Sequence, residues 1–183
     1  MKKSVTATLL CFISLITFSL IASAEDSQPN REWVGAVGFV NFSDEEDGLS
    51  VSLNGIVGSL GYKIRSSNNL TLIPQVRIGF GISDDTLSIP RYYDVKVQLD
   101  SFLALSMRGE IEFNNGIYAF ATPSYANAQI TAISRGYSET DDDWEFGIGA
   151  GAGYNFSETA STEFSYERFD STDVFTLGVR YDF

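Results

Sequence analysis

The sequence predicts an all-β fold, a transmembrane antiparallel up-and-down β-barrel of eight strands. Three observations carry that reading. Stretches of about ten or more residues alternate apolar with small or polar side chains, the period of a strand with one greasy face. The connections between them alternate between short turns and longer, mostly acidic loops, which is how a membrane barrel with two unlike rims is built. The face opposite the greasy one is rich in glycine or charge. A narrow closed lumen requires that, whereas a soluble sandwich buries its apolar faces against each other.

Residues 33–183 carry this pattern, behind two other segments. Lys2 and Lys3, an apolar stretch from Val5 to Ile21 and the triplet Ala22-Ser23-Ala24 read as a secretory signal over 1–24, cleaved after Ala24 with Ala22 and Ala24 as the small cleavage residues. A membrane-anchoring helix fits less well. Ser, Thr and Cys interrupt the stretch, and Glu25-Asp26 follow it in place of basic stop-transfer residues. Cys11 follows Leu9-Leu10 rather than the small residue that lipid attachment needs, so it is expected to leave with the signal. Residues 25–32 are then a short periplasmic segment.

The clearest strand runs from Val95 to Phe113, with Val95, Val97, Leu99, Leu103, Leu105, Met107, Ile111 and Phe113 on one parity and Lys96, Gln98, Arg108, Glu110 and Glu112 on the other. From Leu70 to Ile82, Val76, Ile78 and Phe80 oppose Gln75, Arg77, Gly79 and Gly81. From Trp144 to Phe156, aromatic and aliphatic residues oppose Glu145 and the glycines 147, 149, 151 and 153. The last strand sets Phe175, Leu177, Val179, Tyr181 and Phe183 against Gly178, Arg180 and Asp182. Weaker strands fill 33–42, 49–64, 117–133 and 159–169. The apolar parity of the second switches near Gly55, which predicts a bulge there, and the parity of the first is undecided.

Short turns are expected at 66–69, 114–116 and 157–159, longer acidic loops at 43–48, 83–91 and 134–143, and a short last connection at 170–173. An even strand number returns both termini to the periplasmic side and leaves the acidic loops outside. A strand of about ten residues tilted about 45° spans roughly 23 Å, close to an outer-membrane apolar band of about 25 Å. Trp33, Phe42, Tyr62, Phe113, Tyr118, Trp144, Tyr154, Phe156, Phe169 and Phe183 lie near strand ends and are expected to form interfacial girdles.

With its signal, its eight alternating strands and the terminal run from Phe175 to Phe183, the chain resembles the small outer-membrane barrels of the opacity-protein and OmpA/OmpX type, whose shared unit is an outer membrane protein beta-barrel domain. The resemblance covers nearly all of the mature chain. It implies an outer membrane of a Gram-negative envelope, with outer-membrane lipid and lipopolysaccharide as surroundings. It also implies that Phe175, Leu177, Val179, Tyr181 and Phe183 form the signal read by the barrel-assembly machinery. A peptidoglycan-binding domain of the kind that follows the OmpA barrel is not expected after Phe183.

Composition narrows the chemistry. The chain has no histidine, and the enzymes among the small barrels, which act on lipid A, phospholipids or proteins, use a catalytic one, so no enzyme is expected. Glu163 and Glu167 on the lumen face beside Arg180 read better as a salt-bridged plug than as an acid–base pair. Arg77, Lys96, Arg108, Glu110, Glu112 and Glu145 are expected in the same interior charge network or at its periplasmic mouth. All 24 acidic residues lie after position 24 and two of the 12 basic ones before it, which leaves a mature formal charge of −14. Nucleic acid is therefore not a partner. The runs 44–47 and 141–143 lack the spaced ligands and glycine of a calcium loop, and the glycines 147–153 lack the Lys and Ser or Thr of a phosphate loop. No cofactor or metal is expected. The expected role is structural or surface-interacting, with an extracellular ligand at the acidic loops left open. A porin-like small-solute channel is the alternative, disfavoured because side chains nearly fill an eight-stranded lumen.

Overall fold

The computed structural model describes residues 32–46, 49–65, 70–89, 93–113, 115–134 and 137–183. The signal segment with Ala22 and Ala24, the turn 66–69 and the tip residues 47–48, 90–92 and 135–136 lie outside the described residues.

Eight strands make the barrel: β1 Trp33–Glu46, β2 Leu49–Tyr62, β3 Leu70–Gly81, β4 Tyr93–Glu112, β5 Ile117–Ser134, β6 Trp144–Asn155, β7 Ala160–Phe169 and β8 Thr172–Asp182. Each pairs antiparallel with its sequence neighbours, and β1 pairs with β8 from Val34↔Asp182 to Ser43↔Asp173, so the sheet closes on itself. Closure matters because an unpaired backbone group in hydrocarbon costs several kcal/mol. Reciprocal bonds between Trp33 and Phe183 (3.1 and 3.0 Å) finish the seam at the end expected to face the periplasm.

Two of the three predicted acidic loops are largely strand. Asp84–Ile89 pairs with the start of β4, and Tyr137–Asp141 pairs with the end of β5. The first acidic loop is shorter than expected too, since β1 and β2 remain paired up to Glu46↔Leu49. Backbone groups that a loop would leave to water are satisfied by continuing the ladders. β4, at 20 residues, rises about 45 Å along a strand tilted by about 45°. It therefore reaches well beyond an apolar band of about 25 Å, and with β5 and the two short strands it forms a four-stranded tongue at the rim opposite Trp33 and Phe183, the rim expected to be extracellular.

The bulge lies in β4, not at Gly55. Pairing of β1 with β2 runs from Trp33↔Tyr62 to Glu46↔Leu49 without a shift, whereas the β4–β5 register slips between Leu99 and Ser101. Asp100 is the extra residue. It accepts hydrogen bonds from Thr131 Oγ1 (2.6 Å) and Gln98 Nε2 (3.0 Å). The slip reverses the strand's faces, so Val97 and Leu99 point into the barrel instead of sharing the outward face of Leu103, Leu105 and Met107 as the alternation predicted. Gly81 lies against this bulge, and a Cβ there would stand 2.3 Å from the carbonyl oxygen of Leu99.

The parity switch in β2 has another cause. Ile56 and Leu60 face outward, while Leu53 and Val57 face inward into an apolar cluster with Val40, Phe42, Val97, Leu99, Phe102, Ala126, Phe169 and Val174. The extracellular half of the lumen is thus apolar, not polar throughout as predicted. It also explains why β1 shows no parity, since Val37 and Phe39 face out while Val34, Val40 and Phe42 face in.

Outside, Ile78, Phe146, Ile148 and Leu177 are each 60% exposed or more within a belt of exposed apolar residues. A belt of that extent on a monomer marks a lipid-facing surface. Of the predicted girdle, Phe113, Trp144, Tyr154, Phe156 and Phe183 are exposed at the rims and Trp33 packs edge-on against Tyr62 at 5.2 Å. Phe42, Tyr118 and Phe169 are not part of it. All three point inward and are 5% exposed or less, because each sits on the lumen parity of its strand.

Candidate functional site: the filled lumen and its extracellular mouth

The periplasmic half of the lumen holds two layers of paired charge. In the upper one, Arg77 of β3 reaches across to Glu167 of β7 and donates from Nη1 and Nη2 to its two oxygens at 2.6 and 2.8 Å. Nη2 also donates to Ser124 Oγ at 2.9 Å. In the lower layer, Arg108 of β4 donates to both oxygens of Glu163 at 3.0 and 2.6 Å and to Glu110 at 2.9 Å. Arg180 of β8 donates to Glu110 at 2.6 Å, to Glu163 at 3.4 Å and to Asp182 at 3.0 Å. Lys63 meets the other oxygen of Asp182 at 2.6 Å.

Charge in this interior balances. Arg77, Arg108, Arg180 and Lys63 oppose Glu110, Glu163, Glu167 and Asp182. Bidentate arginine forks and shared carboxylates give the geometry that offsets desolvation. Aromatic rings pack the arginines from the side, with Arg108 Cζ 3.5 Å from the centroid of Phe120 and Arg180 Cζ 5.3 Å from that of Tyr118. Tyr118, buried between β5 and β7, donates to Ser161 Oγ (2.6 Å) and stands 2.8 Å from Glu163 Oε1.

The glycines of β6 make room for this packing. A Cβ at Gly149, Gly151 or Gly153 would fall 2.1–2.3 Å from Glu167, Phe120 or Tyr118. What remains beside the arginines is a cavity of about 60 Å³, with room for a few waters.

Two residues assigned to this network from sequence lie elsewhere. Lys96 pairs with Asp84 at 2.6 Å in the extracellular tongue, and both side chains are about half exposed. Glu145 is at the extracellular mouth, not the periplasmic one. Glu112 is exposed at the periplasmic rim, 3.4 Å from Asn155 Nδ2. Reading positions by strand parity alone misplaced Lys96 because the bulge at Asp100 reverses the face of the residues before it, and misplaced Glu145 because parity fixes a face but not a depth. Sequence reasoning missed Lys63, Tyr118, Ser161 and Asp182. Asp182 shares the lumen parity of Arg180 and could have been found that way, whereas Lys63, just beyond β2, gave no signal.

Above the charge layers, Phe42, Phe102, Phe169 and Val174 floor a vestibule of about 180 Å³ whose rim includes Asp141, Asp143 and Glu145. Phe42 and Phe102 meet edge to face at 5.3 Å. Among the described residues no group of three or more His, Cys, Asp or Glu is placed to hold a metal ion.

Comparisons with known proteins agree with the closed barrel. The crystal structure of Ail from Yersinia pestis superposes with a TM-score of 0.60 at 18% identity, over 83% of this chain and 98% of Ail. Neisserial surface protein A superposes at 0.56 and 13% identity, over 82% of this chain and 97% of that one. A de novo designed transmembrane β-barrel gives 0.51 and 17%, over 87% and 100%. No curated protein matches the sequence. The profile of the family described as "Outer membrane protein beta-barrel domain" matches residues 10–183. The chain belongs to that family, the outer membrane protein beta-barrel domain proteins, and resides in the outer membrane of a Gram-negative envelope.

Proposed function

We propose that the protein is a closed, non-enzymatic outer-membrane barrel whose role is structural or surface-interacting. One observation carries the reading: charge-balanced ion pairs and aromatic rings fill the periplasmic half of the lumen and leave about 60 Å³ beside the arginines. The glycines of β6 make room for Glu167, Phe120 and Tyr118 rather than for solute. The two carboxylates that could have acted as acid and base are each held by arginine, Glu163 by Arg108 and Arg180 and Glu167 by Arg77, so neither is free to move a proton.

The surface offered to partners is the acidic tongue. One Ail structure is a complex with the heparin analogue sucrose octasulfate. Here the formal charge after Ala24 is −14, and Asp84, Glu139 and Asp141 sit on the tongue, so a sulfated anion would be repelled. Biogenesis follows the same reading. Residues 1–24 direct export and are cleaved after Ala24, and Phe175, Leu177, Val179, Tyr181 and Phe183 are read by the barrel-assembly machinery. All five line the outward face of β8 and its end, where they are accessible before the seam with β1 closes.

Conductance of the purified protein in a planar lipid bilayer tests the closed lumen. Folded protein should be silent, and removal of the Arg108–Glu163 pair from the lower charge layer by Arg108→Ser with Glu163→Ser should introduce small steps. Discrete, reproducible steps from the unsubstituted protein would make it a channel.

A further inference from the structure

We infer that the extracellular vestibule is a binding site for a small organic cation with an apolar body, of the alkyl- or arylammonium class. This deepens the surface-interaction reading and rests on the lumen being closed beneath the vestibule.

The site is built from two features that meet. Its floor is aromatic and aliphatic, made by Phe42, Phe102, Phe169 and Val174 from four different strands. Such a floor accepts an apolar body, and a ring face also attracts a cation. Its rim is anionic, and no cation stands among the described residues that line it. Asp141, Asp143 and Glu145 line the opening, and Glu145 lies within the repulsive field of those two and of Asp170 and Asp44. None of the described residues supplies a donor or cation to the Glu145 carboxylate. Asp44, two residues beyond Phe42 on the same inward parity of β1, has one oxygen, Oδ1, buried without a hydrogen-bond partner, while Oδ2 accepts from Ser171 at 3.1 Å. In the periplasmic half of the same lumen every carboxylate facing inward has its cation. Among the described residues none pairs a cation with Asp44, Asp141, Asp143 or Glu145 at the mouth, which is the arrangement a cation site needs.

Size and spread select the class of ligand. The cavity of about 180 Å³ is below the usual range for drug-sized ligands, so one ring or a short alkyl chain fits. The carboxylates stand around an opening and are not grouped to coordinate a metal ion. A substituted ammonium whose tail descends onto Phe42 and Phe169 meets both features at once, whereas a bare inorganic cation would meet only the rim. The β7–β8 connection is short, from Phe169 to Thr172, and adds little wall on that side of the vestibule.

The test uses the full protein purified from outer membranes and placed in nanodiscs of zwitterionic phospholipid, with empty nanodiscs as the blank. Benzylammonium, benzyl alcohol and phenylacetate are titrated in by calorimetry. Saturable binding of benzylammonium is expected, at least tenfold tighter than either of the others and weakened at high salt. Glu145→Gln should weaken it several-fold, and Ala128→Phe, which fills the vestibule from β5, should abolish it. Retained heat-modifiable mobility on gels shows that each variant is folded. Equal binding of benzyl alcohol, indifference to both substitutions, or no saturable heat would overturn the proposal. Conductance on the same preparation separates the two readings. A silent barrel that does not bind defeats only the vestibule site, and a conducting one defeats the closed lumen on which it rests.

Discussion

Glu163→Ala removes the anion that most closely binds Arg108. Arg108 and Glu163 have side-chain exposures of 6% and 14%, so little solvent is available to replace the lost carboxylate. At a charge separation of about 4 Å and an effective dielectric constant of about 20, one such pair is worth roughly 4 kcal/mol. Part of the loss is recovered, because Glu110 also accepts from Arg108 at 2.9 Å, but Glu110 is already shared with Arg180 at 2.6 Å. The lower layer is left with an excess positive charge in a dry core. A destabilisation of about 3–5 kcal/mol is expected. The double variant Glu163→Ala with Arg108→Met restores neutrality and should be less destabilised than the sum of the single changes by about 1.5–3 kcal/mol. Urea unfolding from lipid vesicles, followed by the fluorescence of Trp33 and Trp144, measures all four proteins. If Glu163→Ala unfolds at the same urea concentration as the unsubstituted protein, the plug contributes nothing and the reasoning fails. Strict additivity in the cycle would refute the pairing alone.

Three other perturbations test separate parts of the fold. Gly151→Val places a Cβ 2.3 Å from the Phe120 ring and 2.5 Å from the backbone oxygen of Phe164, so it should cost about 1–3 kcal/mol or more in the same urea assay, while Gly109→Ala, whose nearest neighbour is 3.9 Å away, should be close to neutral. Deleting Asp100 removes the bulge and forces the segment above or below it onto the wrong face; loss of the folded, heat-modifiable gel species is expected, whereas Asp100→Asn should retain it. Phe183→Ala keeps the backbone bonds to Trp33 but removes the terminal ring. Outer-membrane yield should therefore fall several-fold in cells while in vitro refolding is unchanged; an equal loss in both would assign Phe183 to stability rather than to assembly.

Much of the fold was legible because lipid and lumen impose opposite chemistry on alternate residues. β3, β6 and β8 keep one parity throughout, with Ile78, Phe146 and Leu177 out and Arg77, Gly149 and Arg180 in. That pattern alone identifies a spanning strand and its lumen face. It fails where the lumen itself is apolar. In β1 both faces are greasy, and in the upper part of β4 the inward Val97 and Leu99 continue the outward apolar series only because Asp100 shifts the register. A bulge of this kind leaves no mark in composition, since the extra residue is itself polar and exposed. The charge pairs were partly legible. Parity placed Arg77, Arg108, Glu163, Glu167 and Arg180 on the lumen face, but which arginine meets which glutamate depends on the pairing register and tilt of strands distant in sequence. The acidic tongue was read as loop because Asp, Ser and Gly favour turns, yet its backbone continues the ladders of β4 and β5.

The filled lumen is the central claim, and labelling by a membrane-impermeant maleimide on intact cells tests it most directly. The sole cysteine is Cys11, in the predicted signal, so introduced cysteines report without interference, and the unsubstituted protein supplies the background. Tyr137→Cys on the tongue, at a position 85% exposed, should label rapidly. Thr122→Cys in the lumen, 2% exposed, and Ile148→Cys on the lipid face should remain unlabelled until the protein is unfolded. Labelling of Thr122→Cys as fast as Tyr137→Cys would mean an open, water-filled lumen and would contradict the account.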